Sequence, residues 1–230
     1  MSSSASSIAR AARLFEAPIG KKAVMAVTGL ALFGFVIGHM LGNLQIYLPP
    51  GPDGKYAIDA YGEALHANTA LLYGARIGLL LALAAHIISA IQLAQLKNAA
   101  RPSAYVRHTP IASSYASRTM YWSGPILLAF LIYHLLHFTT GHAHPDFQFL
   151  HVHDNVVRGF SVWYVSLFYI VAMGMLCMHL YHGIWSLFQS LGFSHPTYTP
   201  RLKLAAKAAA VLVAAGNISI PLSVLAGIVK

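Results

Sequence analysis

Charged side chains are the first thing that this sequence lacks. Only 9% of its 230 residues are charged, only six of these are acidic, and 57% of the chain is hydrophobic. An average soluble domain carries about 25% charged residues. The mean hydropathy of +0.60 places the chain in the membrane class instead. The deficit of charge therefore excludes an ordinary water-soluble domain.

Cysteine is almost absent as well, since Cys177 is the only one. A single cysteine excludes an internal disulfide and the Cys-x-x-Cys-His motif that attaches haem covalently. The chain also has no cysteine set for an iron–sulfur cluster and no glycine-rich phosphate loop. Any haem in this protein must therefore be held by coordination and packing alone.

The apolar residues that replace the missing charge fall into five long segments. About 20 such residues cross a bilayer as a helix, so we predict an all-α integral membrane bundle of five transmembrane helices in one domain, 23–230. The fourth segment exceeds the bilayer thickness and is expected to tilt or project. Between the spans, two outer loops are expected to cover the mouth of the bundle. The segments run over approximately 23–46, 69–96, 119–139, 160–190 and 206–229.

Residues 1–22 are rich in Ser, Ala and Arg and contain a single acid, Glu16. This composition favours a short amphipathic helix at the cytoplasmic surface, although it also suits an organelle transit peptide. A secretory signal is not expected, because the apolar run that follows is too long and has no small-residue cleavage site.

Basic residues are distributed unevenly between the connecting segments. The segments before spans one, three and five are basic, whereas the other side of the membrane holds only Lys55, Arg158 and Lys230. The positive-inside rule then places the N-terminus in the cytoplasm and the C-terminus outside. The net charge of +9 is thus a topology signal. No nucleic-acid partner is expected, since that would require a basic stripe on a water-soluble face.

Histidines are the unusual polar residues of the spans, where ionisable groups are costly and face a bundle interior. Counted at 1.5 Å per residue, His39 and His134 lie roughly 24 Å and 21 Å from the cytoplasmic ends of their helices. His86 and His179 each lie roughly 26 Å from the outer ends of theirs. Each level thus draws one histidine from each of two helices. Such pairs are what two stacked bis-histidine b haems require inside a four-helix bundle.

Two further histidines lie one turn beyond these, His137 after His134 and His182 after His179. Each is on the same helix face as its neighbour and closer to the membrane surface. This position suits a partner for a haem propionate or a nearby quinone, and it also suits a ring that snorkels to the surface. Spacing alone leaves open which histidine of each pair is the ligand.

Three stretches together resemble a known family: "TGLALFGFVIGHMLGN" (28–43), "SGPILLAFLIYHLLHF" (123–138) and "HLYHGIWSLFQSLG" (179–192). They are similar to the di-haem cytochrome b subunit of succinate dehydrogenase and fumarate reductase, in the class with a single five-helix subunit. The resemblance implies that His39 and His134 bind the outer haem. His179 and His86, the only histidine of span two, would bind the inner one.

The resemblance also implies the rest of the complex. A flavoprotein subunit with FAD would oxidise succinate, and an iron–sulfur subunit would pass electrons through the two non-covalent b haems to a quinone, expected to be menaquinone. This chain would then be a multi-pass subunit in the bacterial inner membrane that does not itself act on succinate. Cys177 stands where some fumarate reductases of the family carry an acid, which favours succinate oxidation.

Several residues are candidates for supporting roles around these cofactors. Glu63 and His66, just before span two, are quinone-site candidates, because quinone reduction needs a proton donor and related fumarate reductases have a glutamate in a similar place. A solvated loop carboxylate is the alternative. Charge-assisted bonds to propionates would offset the burial of a cation. The propionate and supporting candidates are Arg76, Arg158, Asn43, His137 and His182.

Two rival interpretations remain open at this point. The chain could be the cytochrome b of another membrane redox complex, of the hydrogenase or formate dehydrogenase type, or a fumarate reductase that runs in the opposite direction. A zinc site or metal transporter could instead use the histidines of the second outer loop, although His-x-His is a weak signal and solvated loop histidines are commoner. Those residues are His142, His144, His151 and His153.

Overall fold

The computed structural model describes residues 17–100 and 115–230 of the chain, with side chains from 118 onward in the second range. The expected amphipathic helix of 1–22 falls largely on residues 1–16, which lie outside the described residues. Two arginines of the basic segment before span three, Arg101 and Arg107, also lie outside them. Within the described ranges the regular structure is entirely helical. The all-α prediction is confirmed.

Five of the helices are long and apolar enough to cross a membrane, which confirms the five predicted spans and marks the chain as a multi-pass membrane protein. Two short helices and one 3₁₀ turn, Leu44–Tyr47, lie between them. The short helices are α2 (Ala57–Ala67) and α5 (Val152–Ser161). The long helices are α1 (Pro18–Asn43), α3 (Thr69–Ala99), α4 (Tyr115–Phe138), α6 (Trp163–Ser190) and α7 (Thr199–Leu225).

Helix start and stop signals explain why α1 and α7 begin earlier than the apolar segments that predicted them. Pro18 opens α1 and Pro200 lies in the first turn of α7, where the fixed φ of proline suits a helix and its missing N–H is not needed. Beyond the end of α7, Gly227 has a φ of +68°, which is typical of the glycine that follows a helix end.

The fourth span, predicted over approximately 160–190, begins at Trp163, because the chain breaks at Val162. This residue is extended, with φ −81° and ψ 105°, so Ser161 ends α5 and Trp163 begins α6. The hydroxyl of Ser166 donates to the carbonyl of Phe160 at 2.6 Å, which satisfies a carbonyl that the end of α5 leaves free. Helix α6 still has 28 residues, more than the roughly 20 that cross a bilayer, so the tilt or projection of this span stays a prediction.

The two outer loops are folded, and we call residues 44–68 and 139–162 the outer cap. The carboxylate of Asp59 in α2 accepts the backbone N–H of His153 in α5 at 2.8 Å, and the ring of Tyr56 stacks on that of His153 at 3.5 Å. Ile58 is only 2% exposed. We call the end of the bundle that carries this cap the outer end, because the distribution of basic residues predicts that it lies on the non-cytoplasmic side of the membrane.

The helices that carry the histidines are arranged around a shared interior. Helix α1 packs against both α3 and α6, and α6 packs against α4. The order around the bundle is therefore α3, α1, α6, α4, which puts α1 diagonal to α4 and α3 diagonal to α6. Helix α7 packs on α6 and α1, with its Ala210 and Val213 buried against Leu180.

Candidate site: two histidine pairs inside the bundle

The outer pair joins His39 of α1 to His134 of α4. Their ring centres are 5.7 Å apart and the ring planes are inclined at 86°. Because α1 and α4 are diagonal in the bundle, the two rings meet in its interior. The ring of Phe35 stacks on His39 at 5.5 Å, so an apolar side chain closes one side of the pair.

The inner pair joins His86 of α3 to His179 of α6. Their ring centres are 6.4 Å apart, with an angle of 52° between the planes. These helices are also diagonal, so this pair likewise spans the interior. The rings are thus paired as the depth estimate expects, 39 with 134 and 86 with 179.

Hydroxyl groups hold the Nδ1 atoms of the inner pair. The Thr28 hydroxyl donates to the Val24 carbonyl at 2.7 Å and lies 3.2 Å from Nδ1 of His86. Since its hydrogen is used, it accepts the Nδ1–H of His86. Ser123, whose hydroxyl lies 3.4 Å from Nδ1 of His179, repeats the pattern with a bond to the Met120 carbonyl. With Nδ1–H bonded in this way, each imidazole has Nε2 as its free nitrogen.

Nδ1 of His134 in the outer pair is held by a phenol. The Tyr169 hydroxyl lies 3.3 Å from Nδ1 of His134 and 3.0 Å from Nδ1 of His137. Sequence reasoning missed Thr28, Ser123 and Tyr169. The sequence does show a hydroxyl residue inside an apolar span at the level of a histidine. It does not show the direction of that side chain, which decides whether the hydroxyl reaches the histidine.

The two additional histidines, His137 and His182, have surroundings different from those of the paired histidines. His137 is 1% exposed, and its ring stacks on that of His144 at 5.0 Å, on the side of the outer cap. His182 is half-buried, and its backbone carbonyl accepts the Ser186 hydroxyl. The geometry therefore favours His134 over His137 and His179 over His182 as the facing residues.

The pairs fit the donor set of a bis-histidine haem. Two imidazoles on one metal at the usual nitrogen–metal distance of about 2.0 Å have ring centres roughly 6 Å apart. A ligating histidine also commonly hydrogen-bonds through its other ring nitrogen, as three of these four do. Among the described residues no group of three or more His, Cys, Asp or Glu could hold a metal ion. A haem needs only two protein ligands, because the porphyrin supplies the other four nitrogens.

Four glycines near the paired histidines in sequence have no neighbour at the position of an added Cβ. A Cβ added at Gly34, Gly38, Gly174 or Gly183 would meet nothing within 4 Å. Gly42 is different, since a Cβ there would lie 2.7 Å from Cε1 of Tyr61 in α2. Gly42 therefore allows the outer cap to approach α1 and does not make room beside His39.

The cationic candidates lie near the outer end without acidic partners. Arg76 of α3 lies over the ring of Tyr73 at 5.5 Å, and Arg158 of α5 is exposed. In the part of the chain that the structure describes, neither forms an ion pair with an acid. Asn43 is the last residue of α1. These residues remain candidates for a propionate contact.

The quinone-site candidates lie on α2 and do not line the cavity at the outer end of the bundle. Glu63 forms an ion pair with Lys55 at the surface, as a solvated carboxylate would, while Nδ1–H of His66 donates to the Gly62 carbonyl at 2.8 Å. A cavity of about 420 Å³ opens at the outer end beside His137. Neither Glu63 nor His66 lines it, and its polar lining consists of Tyr133, His137, His142, His144 and Tyr164.

The loop histidines offered for zinc make separate contacts. His142 bonds to Thr140, His144 bonds to the Asn155 carbonyl, and His153 lies beside Asp154. They do not form a group of three ligands within the described residues, so the geometry gives no support to a zinc site in this loop.

No protein-family model, curated protein or solved structure matches this chain. The fold and its interior nevertheless define a class: a five-helix membrane protein with two histidine pairs, at two levels, between diagonal helices.

Proposed function

We propose that this chain is the membrane anchor and electron-transfer subunit of a succinate:quinone oxidoreductase in a bacterial inner membrane. The observation that carries the proposal is the meeting of four histidines, from four helices, as two facing pairs inside the bundle. A b haem bound at each pair supplies one-electron transfer. His39 and His134 would hold the outer haem, and His86 and His179 the inner one.

The cost of placing these groups in a membrane supports a functional role. Buried polar groups are expensive unless they are paired, and a packing role would be served by apolar side chains. On α4, Ser123 lies at the inner level and His134 at the outer level, eleven residues apart, which is about 16 Å along a helix. Two centres at this separation span about half of a hydrocarbon core of roughly 30 Å.

The outer end supports the quinone part of the proposal. The cavity beside His137 has a volume of about 420 Å³, within the range of small-molecule pockets. The hydroxyls of Tyr133 and Tyr164 and the ring of His142 line it and offer hydrogen bonds to carbonyl oxygens of a menaquinone ring. Glu63 and His66 lie in the outer cap outside this cavity, so as candidate proton donors they would serve a quinone bound beside α2.

The flavoprotein with FAD and the iron–sulfur subunit are the partners that the proposal requires. The chain has no residues for oxidation of a dicarboxylate and no cysteine set for a cluster, so electrons must come from elsewhere. The sequence stretches around His39, His134 and His179 favour this complex over another membrane redox complex, and Cys177 favours succinate oxidation over fumarate reduction.

The purified protein is expected to bind two b haems per chain, measured as a haem-to-protein ratio and a reduced-minus-oxidised spectrum. His134→Ala and His179→Ala should each remove one haem. His137→Ala and His182→Ala are the matched controls and should retain both. A wild-type preparation without haem would exclude the proposal. If His137→Ala loses a haem and His134→Ala retains both, the outer ligand is His137. The same result for His182→Ala and His179→Ala would make His182 the inner ligand.

Co-purification distinguishes succinate:quinone oxidoreductase from the other redox complexes. The native complex should contain covalent FAD and reduce menaquinone with succinate. A hydrogenase or formate dehydrogenase partner in its place would preserve the haem assignment and refute the assignment of the complex.

A further inference from the structure

Tyr169 occupies a position that neither the ligand set nor the cavity explains. It is on α6, ten residues before the inner histidine His179, yet its hydroxyl lies at the outer pair, which belongs to α1 and α4. The side chain is 6% exposed. Its hydroxyl is within hydrogen-bond distance of Nδ1 of both His134 and His137.

One hydroxyl between two imidazole nitrogens fixes the hydrogens of all three groups. A phenol has a single hydrogen to donate and lone pairs that accept. If Nε2 of His134 is the ligating atom, its Nδ1 carries the hydrogen and donates to the Tyr169 oxygen. The Tyr169 hydroxyl is then free to donate to Nδ1 of His137, its other hydrogen-bond partner among the described residues, and this arrangement leaves the hydrogen of His137 on its Nε2.

His137 is itself held in place from the outer cap. Its ring stacks on His144, and Nε2–H of His144 donates to the Asn155 carbonyl at 2.9 Å while its Nδ1 accepts the backbone N–H of Asp146. On the other side, a Cβ at Gly159 would lie 2.9 Å from Cε1 of His137. The cap therefore fixes the ring of His137, and this ring gives the Tyr169 hydroxyl its acceptor.

We propose that Tyr169 is a positioning residue for the outer haem, accepting the Nδ1–H of His134 and so directing Nε2 of that ring toward His39. This inference rests on the proposed function, since it concerns the haem that the outer pair would bind. His137 then acts as a buried support for Tyr169 and not as a ligand. Thr28 and Ser123 take the same part at the inner pair.

The expected effect is a change in reduction potential confined to one centre. A hydrogen bond from Nδ1–H makes the imidazole a more basic ligand, which stabilises the oxidised iron relative to the reduced iron. Tyr169→Phe removes that bond, so the potential of the outer haem should rise. A tenfold change in the relative affinity for the two oxidation states corresponds to about 59 mV for one electron.

The test is a redox titration of the purified, haem-loaded protein, with the two centres resolved by their spectra. Tyr169→Phe should raise the reduction potential of the outer haem and leave that of the inner haem unchanged. Ser123→Ala should raise the potential of the inner haem and leave that of the outer haem unchanged. Tyr181→Phe is the matched control. It removes a tyrosine hydroxyl from the same helix, α6, but no hydrogen bond joins this hydroxyl to a histidine nitrogen within the described residues, and Tyr181 does not line the cavity. Its outer potential should equal that of the wild type.

The possible outcomes separate this inference from the proposed function. Two haems with an outer potential unchanged by Tyr169→Phe would overturn the role of Tyr169 and leave the haem assignment intact. Absence of haem from the wild type would overturn both. Loss of the outer haem alone from Tyr169→Phe, with the inner haem retained, would support the inference, because loss of such a partner costs about 10- to 100-fold in metal affinity.

A second pair of variants covers the case in which Tyr169→Phe does not fold. His137→Ala removes the acceptor of the Tyr169 hydroxyl and should raise the outer potential by less, because it weakens the bond from His134 only through the shared hydroxyl. His137→Gln retains a carbonyl oxygen as acceptor and should restore a value near that of the wild type. Equal potentials in the wild type and both His137 variants would contradict the chain of hydrogen bonds.

Discussion

Gly159 shows how closely a single residue of the outer cap is packed against the histidines below it. A Cβ at this position would lie 2.9 Å from Cε1 and 3.0 Å from Nε2 of His137, and 3.2 Å from Nε2 of His144. Both rings are buried, with 1% and 6% of their surface exposed, and both are fixed by hydrogen bonds. Both rings line the cavity at the outer end, but they can move into it only by breaking these hydrogen bonds.

Gly159→Ala is therefore expected to destabilise the protein by about 1–3 kcal/mol, the usual cost of overpacking a filled interior. The measurement is the free energy of unfolding in detergent. Gly78→Ala in α3 is the control, since a Cβ there meets nothing within 4 Å and alanine favours the helix. Equal free energies of unfolding for the two variants would contradict this prediction, since the outer cap would then accommodate the added methyl group beside His137 without loss of stability.

Among elements, the junction of α5 and α6 is the feature that shapes the outer end. Val162 is extended, so the chain leaves one helix and enters the next within a single residue. Ser166 is fully buried and supports the break from the α6 side through its bond to the Phe160 carbonyl. This break lets α5 pack on both α2 and α7, and it places Gly159 over His137.

Ser166→Ala should cost about 1–3 kcal/mol, because it leaves a buried carbonyl without its donor. Hydrogen exchange is expected to rise in residues 152–162 and to remain unchanged in the middle of α6. Ser161→Ala is the matched control, since the Ser161 hydroxyl is exposed and bonds within its own helix to the Val157 carbonyl. Similar exchange in both variants would contradict a role for Ser166 in holding the break.

At the scale of the whole molecule, the order α3, α1, α6, α4 decides which histidines meet. The same four helices in another order would keep every histidine at its depth but separate the members of a pair. Helix α7 carries no histidine and packs along α6 and α1, so it supports two of the four histidine-bearing helices from outside.

Labelling from either side of the membrane checks the topology that this arrangement requires. Because Cys177 is the only cysteine, the Cys177→Ser protein provides a background for Ala143→Cys in the outer cap and Ser194→Cys between α6 and α7, both exposed positions. An impermeant maleimide should label Ala143→Cys from outside and Ser194→Cys from the cytoplasm. Labelling of both from one side would mean that α6 does not span the membrane, and the reverse pattern would invert the predicted orientation.

The five spans and the depth of each histidine follow from the sequence alone, because hydropathy and a constant rise per residue are local properties of the chain. The missed features depend on contacts between distant segments. The break at Val162 lies within a continuous apolar run, and the cap helices α2 and α5 are short segments that pack on one another.

The sequence by itself determined which residues are available at each level of the membrane. Only the tertiary structure decided that Thr28, Ser123 and Tyr169 hold histidines on other helices, and that His137 faces the cap while His134 faces His39. The reason is physical. The rotation of a helix about its axis and its choice of neighbours come from packing with other helices, and these two properties decide the direction of each side chain.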